Sequence, residues 1–166
     1  YGVGYDNVDV PACTKKGIVV ANVPDYCAED VSDLAIGHLF ACLRHISARD
    51  RMVRQGGWNI AKEKEFRIKG KTLSLLGFGN IARTLCRKVS GFGLGRILVY
   101  DPYVPEETIR SCGAQKASLE DALSLGDFIS LHIPVTEETR GIINGNTLSL
   151  MQDTAILINT SRGPLI

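Results

Sequence analysis

Residues 72–101 decide the fold: Thr72-Leu73-Ser74-Leu75-Leu76, then Gly77-Phe78-Gly79-Asn80-Ile81-Ala82, a helical pattern, and Ile97-Leu98-Val99-Tyr100-Asp101. The order predicts a strand, a tight turn, a helix, a second strand and an acidic tip. The two glycines let the chain turn sharply and let bare backbone approach a pyrophosphate, whose charge the N–H groups and dipole at the helix start would meet. Ala82 at the third small position still allows the helix to lie close on the strand. Asp101, about 20 residues further on, stands where a carboxylate accepts hydrogen bonds from an adenosine ribose. A carboxylate there repels a 2′-phosphate, so the implied cofactor is NAD rather than NADP. A glycine pair alone would also suit an ordinary strand-to-helix turn, but here strand, helix and acid all stand in place around it.

Downstream, Pro102 and Pro105 turn the chain away, Glu106–Cys112 suits a short helix and Ala114–Lys116 a short strand. Ser118 caps a helix to Leu125, and Phe128-Ile129-Ser130-Leu131 is a buried-strand run ending at His132. Asn146–Leu150 is a helical piece, and Ala155-Ile156-Leu157-Ile158 a last strand ending at Asn159-Thr160-Ser161-Arg162-Gly163. Apolar strands alternating with helices predict an α/β fold with a doubly wound parallel sheet, helices on both faces. Upstream, Val3 and Gly4 fall in a loop over Tyr1–Asp9 that leads to a helix over Val10–Lys16, ended by Gly17. Ile18-Val19-Val20-Ala21 reads as a buried strand. One unusually long helix over 28–55 then carries Val31, Leu34, Ala35, Leu39, Cys42, Leu43 and Ile46 on one face, with core or a subunit interface as its use. Gly56-Gly57 breaks it, and Trp58–Lys71 is polar and loop-like.

The 166 residues are 45% hydrophobic with a net charge of +1, enough for one core and without the basic field that nucleic acid or an anionic membrane would require. No apolar run is long enough to span a bilayer. Cys13, Cys27, Cys42, Cys86 and Cys112 are odd in number and scattered without a C-x-x-C pair, which reads as reduced cytoplasmic thiols, several of them in the core, with no metal site. Tyr1 at the start and the apolar Gly163-Pro164-Leu165-Ile166 at the end suggest a piece of a longer chain, residues 1–24 belonging to a neighbouring domain and 25–166 to the glycine-turn domain.

In such a sheet ligands bind beyond the carboxyl ends of the strands, where strand order switches. Gly77-Phe78-Gly79, Asp101, His132-Ile133-Pro134-Val135-Thr136 and Thr160-Ser161-Arg162 all fall at such ends. Singly, His132 could be a strand-end histidine bonded to backbone, Thr136 a turn residue and Arg162 a surface charge. Their coincidence points to a site. Arg162 is planar, permanently charged and able to hold a carboxylate by two parallel bonds, as the reduction of a 2-oxo acid requires. None of His38, His45 and His132 is placed to give the proton.

Tyr1-Gly2-Val3-Gly4-Tyr5-Asp6-Asn7-Val8-Asp9, Asn22-Val23-Pro24, Gly77-Phe78-Gly79-Asn80-Ile81, Tyr100-Asp101-Pro102, Leu131–Thr136 and Asn159–Gly163 together resemble the D-isomer-specific 2-hydroxyacid dehydrogenases over the whole chain. Asn22–Cys27 and Tyr100–Tyr103 are most similar to the C-terminal-binding-protein-like and phosphoglycerate-dehydrogenase-like branch. The resemblance implies that residues 1–24 end a flavodoxin-like substrate domain and 25–166 form an incomplete NAD-binding Rossmann domain. It implies that Gly77, Gly79, Asn80, Ile81 and Asp101 hold NAD, that Val3, Ile133, Pro134, Thr136, Thr139 and Thr160 line it, and that Val3, Gly4 and Arg162 meet a small 2-hydroxy or 2-oxo acid, Arg162 catalytically. It also implies a homodimer through the 28–55 helix and places the catalytic Glu and His after Arg162, so the 166 residues alone are expected to be inactive. The alternative in another class is an NAD-responsive corepressor of the C-terminal-binding-protein type.

Overall fold

The computed structural model describes residues 2–58 and 66–166. Its elements run α1 (Val10–Lys15), α2 (Ala28–Leu43), α3 (Ile46–Arg54), β1 (Thr72–Leu76), α4 (Asn80–Val89), β2 (Arg96–Tyr100), α5 (Glu106–Ser111), β3 (Gln115–Lys116), α6 (Leu119–Leu125), β4 (Phe128–Leu131), α7 (Gly145–Leu148) and β5 (Ile156–Asn159). The five strands form one sheet in the order β3-β2-β1-β4-β5, every pair parallel. β1 is central, Leu73–Leu76 lying between Ile97–Tyr100 and Phe128–Leu131, and the chain reverses direction across the sheet between β1 and β4. This is the doubly wound Rossmann arrangement, with its switch point beside the glycine turn.

All five residues of β1 and all four of β4 are buried, including Thr72, Ser74 and Ser130, as strands of a parallel sheet covered by helices on both faces are. On one face α4 buries Ala82, Leu85, Cys86 and Val89, one helical stripe, against α2, which buries Ser32, Ala35, Leu39 and Leu43. Their outer edges are tied by Lys88 to Glu29 and Asp33 at 2.8 and 2.5 Å. On the other face Ala122 and Leu123 of α6 close over Leu76, Ile129 and Leu131 with Ile143 and Leu165. At the N-terminal rim Asp127 receives the Lys71 ammonium at 2.7 Å and the Thr72 N–H at 2.9 Å, locking the start of β1 to the start of β4.

Four sequence expectations change. The long 28–55 helix is two helices, because His45 takes a left-handed backbone (φ +51°) between α2 and α3. The buried stripe of α2 is narrower than expected: Ser32, Ala35, Leu39 and Leu43 are buried with Ile36 and Phe40 packed beside them, while Leu34, Cys42 and, at the start of α3, Ile46 are exposed. Ile18–Ala21 forms no strand and Val19 is 90% exposed. Among the described residues no strand lies beside this run; its neighbour Val23 gives its N–H to Gly2 O, and Asn22 Nδ2 bonds Val3 O. Of the cysteines only Cys86 is buried, and all five are free thiols. Half of the loop expected over Trp58–Lys71, residues 59–65, lies outside the described residues; the described part forms no helix or strand, and its Phe66 and Ile68 pack against the core.

Candidate functional site

The turn after β1 is shaped by what lies behind it. Gly77 has φ +93°, and a Cβ there would stand 2.6 Å from His132 O and 2.7 Å from Ile133 Cγ2, so backbone of the β4 end occupies the space a side chain would need. Phe78 is wholly buried and anchors the turn, its carbonyl taking the Arg83 Nε–H at 3.0 Å with the guanidinium 5.6 Å over its ring. Gly79 is the reverse of Gly77: a Cβ on it would meet nothing within 4 Å. It is the N-cap of α4, a ten-residue helix whose start has no side-chain cap and no acid in its first turn. The helix's first N–H groups therefore have no partner within the helix and face no carboxylate of that turn. Open space over uncapped amides is the cradle a pyrophosphate requires.

Asp101 stands directly against this turn. One carboxylate oxygen accepts the Phe78 N–H at 2.9 Å, and the other accepts Tyr103 N–H and Val104 N–H at 2.9 and 3.1 Å. Three backbone donors fix its orientation, and the oxygen bonded to Phe78 keeps acceptor capacity for a sugar hydroxyl. The Asn80 side-chain amide bonds Asp25, at the entry to α2, so only its backbone N–H faces the turn. Ile81 is half-buried one residue further into the helix.

The loop after β4 carries Ile133, Pro134, Thr136 and Thr139 to the same rim. Its threonines hold each other: Thr139 Oγ1 accepts the Thr136 N–H at 2.8 Å and donates to Pro134 O at 2.6 Å. Their hydroxyls thus shape the loop, the turn reading considered for Thr136. Tyr103 Oη reaches Glu138 at 3.1 Å, bridging the loops that follow β2 and β4. His132 is not bonded to backbone through its ring: Nε2 meets Ser130 Oγ at 2.9 Å, and Nδ1 is buried without a partner. Burial pushes its pKa down to about 4, so the ring is neutral.

At the end of β5, Thr160 Oγ1 is likewise buried and unpartnered. Asn159 builds the turn that follows, its Oδ1 accepting Ser161 N–H at 3.0 Å and its Nδ2 donating to Arg162 O at 2.8 Å. Ser161 Oγ ties this turn to Leu131 O of β4 at 2.7 Å. Arg162 then reaches back to the first loop, its Nε donating to both oxygens of Asp6 at 3.1 and 3.2 Å while Nη2 lies 1.7 Å from where a Gly4 Cβ would stand. Val3, beside Gly4, is held by Asn22. The structure therefore brings Gly4 and Arg162 together, and sets Gly77, Gly79 and Asp101 together at the switch point. Asp6 was missed as a site residue because in sequence it reads as a turn former.

Residues 36–166 match the family described as D-isomer specific 2-hydroxyacid dehydrogenase, NAD binding domain. The chain is similar to the glyoxylate reductase of Korarchaeum cryptofilum, 41% identical over 170 residues that cover 100% of this chain and 51% of the relative. The hydroxypyruvate reductase of Thermotoga maritima is 40% identical over 165 residues, covering 99% and 53%. Among solved structures, D-lactate dehydrogenase from Aquifex aeolicus complexed with NAD and lactic acid superposes with a TM-score of 0.89 at 32% identity, over 99% of this chain and 49% of that one. The chain spans about half the length of the curated relatives it matches.

Proposed function

This chain belongs to the D-isomer specific 2-hydroxyacid dehydrogenases and carries their NAD-binding domain, and on that premise we propose that the protein it forms interconverts a D-2-hydroxy acid and its 2-oxo acid. The observation that carries the reading is the Phe78 N–H to Asp101 bond at 2.9 Å, which sets a fixed carboxylate beside an open, uncapped helix start. Gly77 supplies the turn, and backbone at Gly79, Asn80 and Ile81 receives the pyrophosphate. Asp101 accepts from the adenosine ribose and repels a 2′-phosphate. Val3, Ile133, Pro134, Thr136, Thr139 and Thr160 line the rest of the cofactor, the Thr160 hydroxyl being a buried donor in need of an acceptor. When bound, the nicotinamide supplies or takes the hydride. Arg162 holds the substrate carboxylate against Gly4 and stabilises the charge that grows on the carbonyl oxygen. His132 does not serve as the acid that protonates the substrate, since its ring is buried, its Nε2 meets Ser130 and it carries no imidazolium proton at neutral pH.

Residues 1–24 belong, in this reading, to the substrate domain, and 25–166 to the cofactor domain. The exposed apolar run Ile18-Val19-Val20 supports that division, as a surface suited to cover by further strands. Exposed Leu34, Ile46, Val53 and Trp58 around α2 and α3 support a homodimer through 28–55. Five free thiols suit a cytoplasmic location.

The test is the full-length protein assayed with NADH against glyoxylate, hydroxypyruvate, pyruvate and phosphohydroxypyruvate. Oxidation of NADH with at least one acid is expected, giving glycolate from glyoxylate and the D-hydroxy acid from any of the other three. NADH binding without turnover of any of the four would overturn the enzymatic reading.

A further inference from the structure

We infer that Asp6 is a positioning residue for Arg162, occupying one side of its guanidinium so that the opposite edge is presented to a substrate carboxylate; this rests on the dehydrogenase reading above. Arg162 has a long stem and follows a turn, so the Asn159–Ser161 bonds fix its backbone without fixing its fork. The fork is fixed by two further contacts. Nε donates to Asp6 Oδ1 and Oδ2 at 3.1 and 3.2 Å, and Nη1 donates to Ser161 O at 3.0 Å. Nη2 makes no hydrogen bond among the described residues. Of the five N–H groups, Nε–H and one Nη1–H are consumed, which leaves a donor on each terminal nitrogen, the pair that grips a carboxylate by two parallel bonds.

The floor beneath that edge is Gly4. Guanidinium Nη2 and Cζ lie 1.7 and 2.9 Å from the position of an added Cβ, so the fork rests on bare backbone. The side chains of Arg162 and Asp6 are 42% and 56% exposed, and a pair so open to solvent contributes little to stability. What it contributes is direction. Asp6 is held ionised, its carboxyl lowered below the usual range by hydrogen bonding from its own backbone amide and then by Arg162. An anion approaching from the Nε side meets this charge and is repelled, so a 2-oxo acid is admitted by the terminal edge only.

The experiment uses the full-length protein with NADH and whichever acid of the earlier panel it reduces, comparing D6N, D6A and D6E. In D6N and D6A the KM for the acid should rise about tenfold and kcat fall by a smaller factor while the NADH Kd changes less than twofold, the pattern of a displaced substrate anchor. D6E, which restores a carboxylate, should recover part of the loss. Exchange of the Arg162 Nε proton, followed by nitrogen NMR, should be slow in the wild type and fast in D6N. Turnover with an unshifted KM in D6N, or KM, kcat and NADH Kd moving together with a fall in Tm, overturns the positioning role while the dehydrogenase reading stands. A wild type that reduces none of the acids overturns both, even where slow Nε exchange shows the pair intact.

Discussion

At the N-terminal rim of the sheet, Asp127 is clamped by Lys71 and by the Thr72 amide, and Arg96 Nε bonds the Thr72 hydroxyl at 3.1 Å. At the C-terminal rim the buried Nδ1 of His132 and Oγ1 of Thr160 have no partner, the α4 start is uncapped, and a cation reaches across 156 positions of sequence to an exposed acid. One rim ties its polar groups down; the other carries two of the three buried side-chain atoms that lack a partner among the described residues, the third, Ser74 Oγ, lying within β1. Unmet polar groups cost stability in a folded chain, and their concentration at one edge is the mark of a surface shaped for a ligand.

The largest effect that could break this contrast is at Arg162. In the full-length protein Arg162→Met should lower kcat/KM about 10³-fold with the NADH Kd within twofold, since an anchor and a developing-charge donor are lost together; steady-state kinetics with a parallel NADH titration would check it. Next come two glycines of the site, Gly77 and Gly4, whose Cβ positions are blocked. Gly77→Ala meets backbone at φ +93° and should cost about 3 kcal/mol in denaturant unfolding. Gly4→Ala meets only side-chain tips, those of Arg162 and Asp6, which can swing, so activity should fall while Tm holds. A loss of stability at both positions would erase the distinction. At the opposite rim Asp127→Ala should cost about 2 kcal/mol by stranding Lys71 and the Thr72 amide, with NADH affinity unchanged in the same titration.

The smallest effect at neutral pH concerns His132. Its folded pKa of about 4 lies below the ordinary 6.5, so protons bind the unfolded state more readily. The stability this implies is present above pH 6.5 and is lost as pH falls toward 4. Thermal melts across that range should show a slope that His132→Gln removes.

The two strands and the glycine turn of the β1–α4–β2 unit were legible in the sequence, because a strand buried on both faces writes itself as a mostly apolar run and the turn needs glycine where backbone crowds it. The switch-point site followed, as Asp101 comes at the very next strand tip. Three features were out of reach. The break at His45 involves neither Gly nor Pro, so local composition did not mark it. Ile18–Ala21 has a strand's composition, but pairing depends on a neighbour that the run itself cannot reveal. The Asp6–Arg162 contact depends on the ends of the chain meeting, which only the assembled sheet brings about.

The central claim is that a fixed carboxylate at Asp101, beside an uncapped helix start, selects and holds NAD. Titrating NADH and NADPH into the wild type and Asp101→Asn tests it most directly, since Asn keeps the shape and one acceptor while removing the charge. The wild type should prefer NADH by about 100-fold, and the variant should bind NADH about tenfold more weakly and lose most of that preference. An NADH affinity and a cofactor preference unmoved by the substitution would contradict the account.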